Sequence, residues 1–101
     1  MLLLQEARTP VGAIVTKEES WTFLFQSSSP QETELLTVIK AFQMFHQEPF
    51  NLLSDSIYVV QAVSIIENVG SINARSTISE ALQEIQTLVW DRKAPFYIGH
   101  I

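Results

Sequence analysis

The sequence predicts an α/β domain in which a mixed sheet, built in the order β-β-β-α-β-α-α-β, is covered by helices. Three observations lead there. Short β-branched and aromatic runs open the chain as an antiparallel meander, a strongly signalled helix follows, and extended and helical patterns then alternate. With 101 residues, 47% of them hydrophobic and 17% charged, the chain can fill one core and is too short for two. Residues 1–101 therefore read as a single domain.

Leu2 to Leu4 form a first short strand, and Pro10 ends regular pairing after Gln5-Glu6-Ala7-Arg8. Val11 to Thr16 is short and β-branched, and the polar turn Lys17-Glu18-Glu19-Ser20 leads into Trp21 to Gln26. This is a hairpin. Trp21, Phe23 and Phe25 alternate with Thr22, Leu24 and Gln26, the period of a half-buried strand. Ser27-Ser28-Ser29 breaks the pattern, and a helix starts with Ser29 as N-cap, Pro30 at the first helical position and Glu32 completing a capping box. Leu35, Val38, Ile39, Phe42 and Phe45 recur at helical steps and form a stripe that faces the sheet, until Gln47-Glu48-Pro49 stops the helix.

Phe50 to Leu53 is bounded by Pro49 and Ser54-Asp55-Ser56 and reads as a central strand. Ile57 to Val69 is apolar nearly all round and ends at Gly70. Its β-branched content makes a strand a competitor, and its length favours a helix. A third helix runs from Ile72 or Thr77 to Trp90, with Thr77 and Glu80 as a second capping-box pair. Asp91 to Pro95 is then a polar turn before a last strand that runs to Ile101.

Composition narrows the function. Six basic against eleven acidic side chains give a net charge of −5, the wrong sign for a protein that neutralises many phosphates unaided. Cysteine is absent, which excludes disulfides, thiolate zinc sites and a cysteine nucleophile. Met1-Leu2-Leu3-Leu4 is interrupted by Gln5, Glu6 and Arg8 before a signal-peptide core of roughly 7–15 residues can form. No apolar run of about 18 residues offers a membrane span. An intracellular location with no membrane partner is therefore the expectation.

Two carboxylates stand out. Asp55 follows a central strand and opens the next helix, at the carboxyl end of the sheet where open α/β folds place ligands. Glu34 lies in the first turn of the capped helix. If that helix brings its N-terminus to the strand ends, the two can converge on a hard cation. The competing reading is structural: Asp55 as an N-cap, and Glu34 as a residue favoured by the helix dipole.

Gln31-Glu32-Thr33-Glu34-Leu35, followed about twenty residues later by Leu53-Ser54-Asp55-Ser56-Ile57-Tyr58-Val59-Val60, resembles the ribonuclease H domain of retroviral Pol polyproteins. Pro95-Phe96-Tyr97-Ile98-Gly99-His100-Ile101 is similar to the strand before that family's mobile histidine loop, particularly in endogenous retroviruses of the betaretrovirus type. The resemblance implies a ribonuclease H-like fold that cleaves the RNA strand of an RNA–DNA hybrid. In that family four carboxylates hold two Mg²⁺ ions, one generating the attacking hydroxide and one stabilising the leaving 3′ oxygen. Glu34 matches the second carboxylate and Asp55 the third, which makes both of them expected catalytic residues and metal ligands. Gln31, Ser56 and Tyr58 fall on positions that lie along the hybrid. Their bland readings are an exposed helix-start residue, a second helix cap, and a core aromatic with its hydroxyl at the rim.

The departures point to lost catalysis. Counting back without a gap puts Leu4 at the first carboxylate, with Glu6 as the substitute candidate two residues further along the same strand face. The fourth carboxylate and the histidine belong to the segment after the last strand, so the expectation is a domain truncated before its final helix. His100 matches a strand-end position upstream of that histidine, and His46 a surface position near a helix end. Expected Mg²⁺ binding is weak or absent, and so is hold on the hybrid without an attached polymerase domain. The alternatives are a co-opted non-catalytic module with a protein partner, and an inert remnant.

Overall fold

Thr16 turns the chain at the polar stretch that follows Val15. Its N–H donates to the Glu19 carbonyl at 2.8 Å, and its hydroxyl accepts from the N–H groups of Glu18 and Glu19 at 3.3 and 3.0 Å. This closes the hairpin of β2 (Val11–Val15) and β3 (Ser20–Leu24), paired from Val11↔Leu24 to Val15↔Ser20. The computed structural model in which these contacts are seen describes residues 2–4, 10–27, 29–66 and 77–101. β1 (Leu2–Leu4) pairs antiparallel with β2 and parallel with β4 (Phe50–Ser54), and β5 (Phe96–His100) adds in parallel to β4. The sheet order is β3-β2-β1-β4-β5.

α1 (Pro30–Met44) begins as its sequence dictates. Ser29 is extended, its side chain accepts from Glu32 N at 3.2 Å, and Pro30 occupies the first position. The other arm of the capping box goes elsewhere: Ser29 N–H donates to Ser27 Oγ at 3.2 Å. Leu35, Val38, Ile39 and Phe42 are buried as the stripe predicts, while Phe45 sits half-buried at the C-cap, edge-on to Trp21 at 6.1 Å. Gly12 of β2 lies directly under α1, where a Cβ would run into Thr37 Oγ1.

α2 (Ile57–Ile66) departs from the all-round burial its composition suggests. Val59, Val63 and Ile66 are buried, whereas Ile57 and Ile65 are 58% and 61% exposed. A helix laid on a sheet turns only one stripe inward, whatever the residues on its outer side. The expected continuation to Val69, the Gly70 stop and the Ile72 start lie outside the described residues. α3 (Thr77–Asp91) packs on α1 and α2 through Ala81, Ile85 and Val89, and its buried Gln86 donates to the Ile66 carbonyl at 2.9 Å.

The helices cover the face carrying Ile14, Phe50, Leu52 and Ser54. The opposite face carries Val11, Ala13, Val15 and Leu53, with Leu24 and Tyr97 79% and 62% exposed.

Arg92 follows α3 in what the sequence presents as a polar turn. Its Nε donates to the Ala94 carbonyl and its Nη2 to the Glu48 carbonyl, both at 2.7 Å, and Nη1 reaches the Phe45 carbonyl at 3.5 Å. The guanidinium carbon stands 4.7 Å from the Phe50 ring centre, and 5.6 and 5.8 Å from those of Phe42 and Phe96. Phe42 meets Phe50 and Phe96 edge-on at 5.2 and 5.1 Å.

Candidate active site

One row of paired backbone positions crosses the sheet through Trp21, Ile14, Leu4, Ser54 and His100. It ends at the carboxyl termini of β1, β4 and β5, the parallel part of the sheet. Asp55 and Ser56 follow Ser54 immediately. Ser54 is 2% exposed, and its hydroxyl accepts the Ser56 N–H at 3.1 Å, which bends the chain out of β4.

The N-cap of α2 is Ser56 rather than Asp55. Ser56 Oγ accepts from Val59 N at 3.3 Å and its carbonyl from Val60 N at 3.2 Å. The Asp55 side chain is exposed, and no described residue hydrogen-bonds to its carboxylate. His100 Nε2 lies 3.2 Å from the Asp55 carbonyl oxygen, where an Nε2–H tautomer donates. The sequence offers no direct sign of this last contact, because it joins residues 45 apart.

Glu34 stands just past the first turn of α1 rather than within it. The first-turn acid is Glu32, so the helix dipole accounts for Glu32 and leaves the position of Glu34 unexplained. Glu34 Oε2 accepts the Ser56 hydroxyl proton at 2.9 Å, which ties α1 to the end of β4. Tyr58, half-buried on the first turn of α2, has its pKa raised by burial and, to a smaller degree, by the Glu34 charge. Gln31 is exposed at the start of α1. Glu34, Ser56, Asp55 and Tyr58 thus belong to one neighbourhood at the sheet's carboxyl end. Leu4 reaches it by backbone pairing, and Glu6 lies outside the described residues.

Glu34 and Asp55 supply hard carboxylate oxygens, the donor type that suits Mg²⁺. Among the described residues no group of three or more Asp, Glu or His side chains is close enough to hold a metal ion. The donors among the described residues do not make up a four-carboxylate, two-ion centre. Among the described residues no helix is long and apolar enough to cross a membrane.

Comparison with known proteins gives the family. The RNase H family model matches residues 3–101. The Pol-related polyprotein of the mouse intracisternal A-particle MIA14 is 34% identical over 95 residues, 94% of this chain and 11% of that protein. The Gag-Pro-Pol polyprotein of squirrel monkey retrovirus is 34% identical over 72% of the chain, and that of mouse mammary tumor virus 39% over 73%; the chain covers 4% of each. It thus spans about a tenth or less of the length of these relatives. With the β3-β2-β1-β4-β5 sheet and its helices, these matches make the chain a member of the RNase H family, with an RNase H-like fold and a betaretrovirus-like Pol sequence.

Proposed function

We propose that residues 1–101 form a single ribonuclease H-type domain, shaped for the RNA strand of RNA–DNA hybrids and no longer competent to cleave it. The observation that carries this reading is the pairing of Leu4 with Ser54, one residue before Asp55. An apolar residue stands at the strand end where the first carboxylate is expected, next to the strand that delivers the third. Glu34 and Asp55 remain as the catalytic carboxylates and metal ligands. They hold one Mg²⁺ loosely, since the ion keeps most of its water and binds through few protein oxygens. When bound, Mg²⁺ supplies Lewis-acid stabilisation of phosphate oxygens. Losing one member of a cooperating set costs several orders of magnitude in rate.

Gln31, Ser56 and Tyr58 follow the path of the hybrid. A charge of −5 works against that contact, so grip depends on an attached polymerase domain. Glu6 is the other candidate for the first ligand, at the cost of a changed strand end. The test is cleavage of a labelled RNA–DNA hybrid by the purified chain in Mg²⁺ or Mn²⁺. Product no greater than that from Asp55→Asn is expected; cleavage that disappears in Asp55→Asn overturns the proposal.

The open sheet face favours a second reading, a non-catalytic module that docks a protein. Leu24 and Tyr97 present apolar surface beside Val11, Val15 and Leu53. A polymerase domain of the same kind of polyprotein is the partner to titrate. Binding that survives Leu24→Asp and Tyr97→Asp removes this reading.

A further inference from the structure

We propose that Ser56 is a positioning residue whose hydroxyl, committed to the N-cap of α2, fixes the Glu34 carboxylate at the carboxyl end of β4. A serine hydroxyl has one proton and two acceptor lone pairs. Val59 N–H takes a lone pair at 3.3 Å, and the proton is given to Glu34 Oε2 at 2.9 Å. The residue itself is pinned, because its N–H is held by the buried Ser54 hydroxyl at 3.1 Å and its carbonyl receives Val60 N–H at 3.2 Å. Turning the Ser56 side chain about χ1, away from Glu34, therefore means giving up the cap as well. The bond to an ionised acceptor is of the stronger, charge-assisted kind, and it links positions 22 apart in the chain.

A cap alone would be served by Ser, Thr, Asp or Asn. Donation to Glu34 is served by a hydroxyl, whereas Asp has no proton to give and adds a like charge. One Glu34 oxygen thus accepts from Ser56, which restricts the rotation of the carboxylate and with it the position of the other oxygen. The consequence for metal binding rests on the reading of Glu34 as a ligand given above. The positioning itself rests on the hydrogen bonds.

The experiment is a metal-free double-mutant cycle on the whole chain, with urea unfolding of the parent, Ser56→Ala, Glu34→Ala and the double variant. Coupling of about tenfold in the unfolding equilibrium constant is expected. Effects that multiply to within about twofold overturn the proposal and leave Ser56 a cap only. Ser56→Thr and Ser56→Asp both keep a cap and carry the same comparison should Ser56→Ala fail to fold. The stability of the threonine variant relative to the aspartate variant is expected to be greater with Glu34 present than in the Glu34→Ala background. The same Thr–Asp difference in both backgrounds overturns the proposal. A second arm follows Mn²⁺ binding by amide line broadening, where Ser56→Ala is expected to weaken affinity about tenfold and Ser56→Thr to retain it. Unchanged Mn²⁺ binding in Glu34→Ala removes the metal reading, while the metal-free cycle decides the role of Ser56 independently.

Discussion

Arg92→Ala is expected to carry a large stability cost for a residue outside the buried core. Three carbonyls from two segments converge on one guanidinium: Ala94 before β5, and Phe45 and Glu48 in the turn after α1. The two bonds at 2.7 Å contribute about 1 kcal/mol each, because water replaces part of what the exposed carbonyls lose. The contact at 3.5 Å is at the geometric limit and adds little. The charge above the Phe50 ring at 4.7 Å adds about 1 kcal/mol. The sum is about 3 kcal/mol, against a total of about 5–15 kcal/mol for a domain of this kind. At roughly 4–8 °C per kcal/mol, Tm falls by about 12–24 °C. Arg92→Lys keeps the charge over the ring and one donor, and loses about half as much, since a point charge cannot span the carbonyls. Urea unfolding followed by circular dichroism, with calorimetry for Tm, measures both. A loss below about 1 kcal/mol in Arg92→Ala, or a lysine variant as stable as the parent, refutes the assignment of these bonds.

Two further predictions concern the candidate site. Leu4→Asp adds a carboxylate in the row beside Ser54 and is expected to raise Mn²⁺ affinity about tenfold, read by line broadening; unchanged affinity would mean that position 4 does not reach the site. Tyr58 has its pKa raised in the folded protein above the ordinary 10.0, first by burial and then by Glu34. The folded state therefore holds that proton more tightly than the unfolded chain does. Its contribution to stability is complete below pH 10.0 and is lost as pH rises through the folded value. The urea midpoint of the parent should fall more steeply above pH 10.0 than that of Tyr58→Phe, and parallel curves would contradict this.

Much of the fold is legible locally. Ser29-Pro30 starts α1 from within four residues, and the hairpin follows from alternation around a polar turn. The strands lie within a residue or two of where their runs predict them. What the chain does not advertise is tertiary. Capping propensity cannot tell Asp55 from Ser56, because both are good caps; the bend made by Ser54 decides between them. The bond from Ser56 to Glu34 and the contact of His100 with Asp55 cross 22 and 45 residues, beyond any periodic pattern. Arg92 looks like a solvated turn residue until α1, β4 and β5 bring Phe42, Phe50 and Phe96 beneath it. The resemblance to Pol domains supplied Glu34 and Asp55 as a pair, which their spacing alone left open.

Gly12 sets a tolerance for everything at the far end of α1. Thr37 cannot simply swing aside to admit a side chain there, because its hydroxyl donates to the Thr33 carbonyl at 2.8 Å and its own Cβ would lie 3.1 Å from the newcomer. The helix would have to lift off the strand at about its midpoint. Arg92 restrains the turn at one end of the rod, so the displacement would be taken up at the other, where Glu34 reaches across to Ser56. The missing side chain of one strand residue thus gauges the height at which a carboxylate about one helical turn away is delivered.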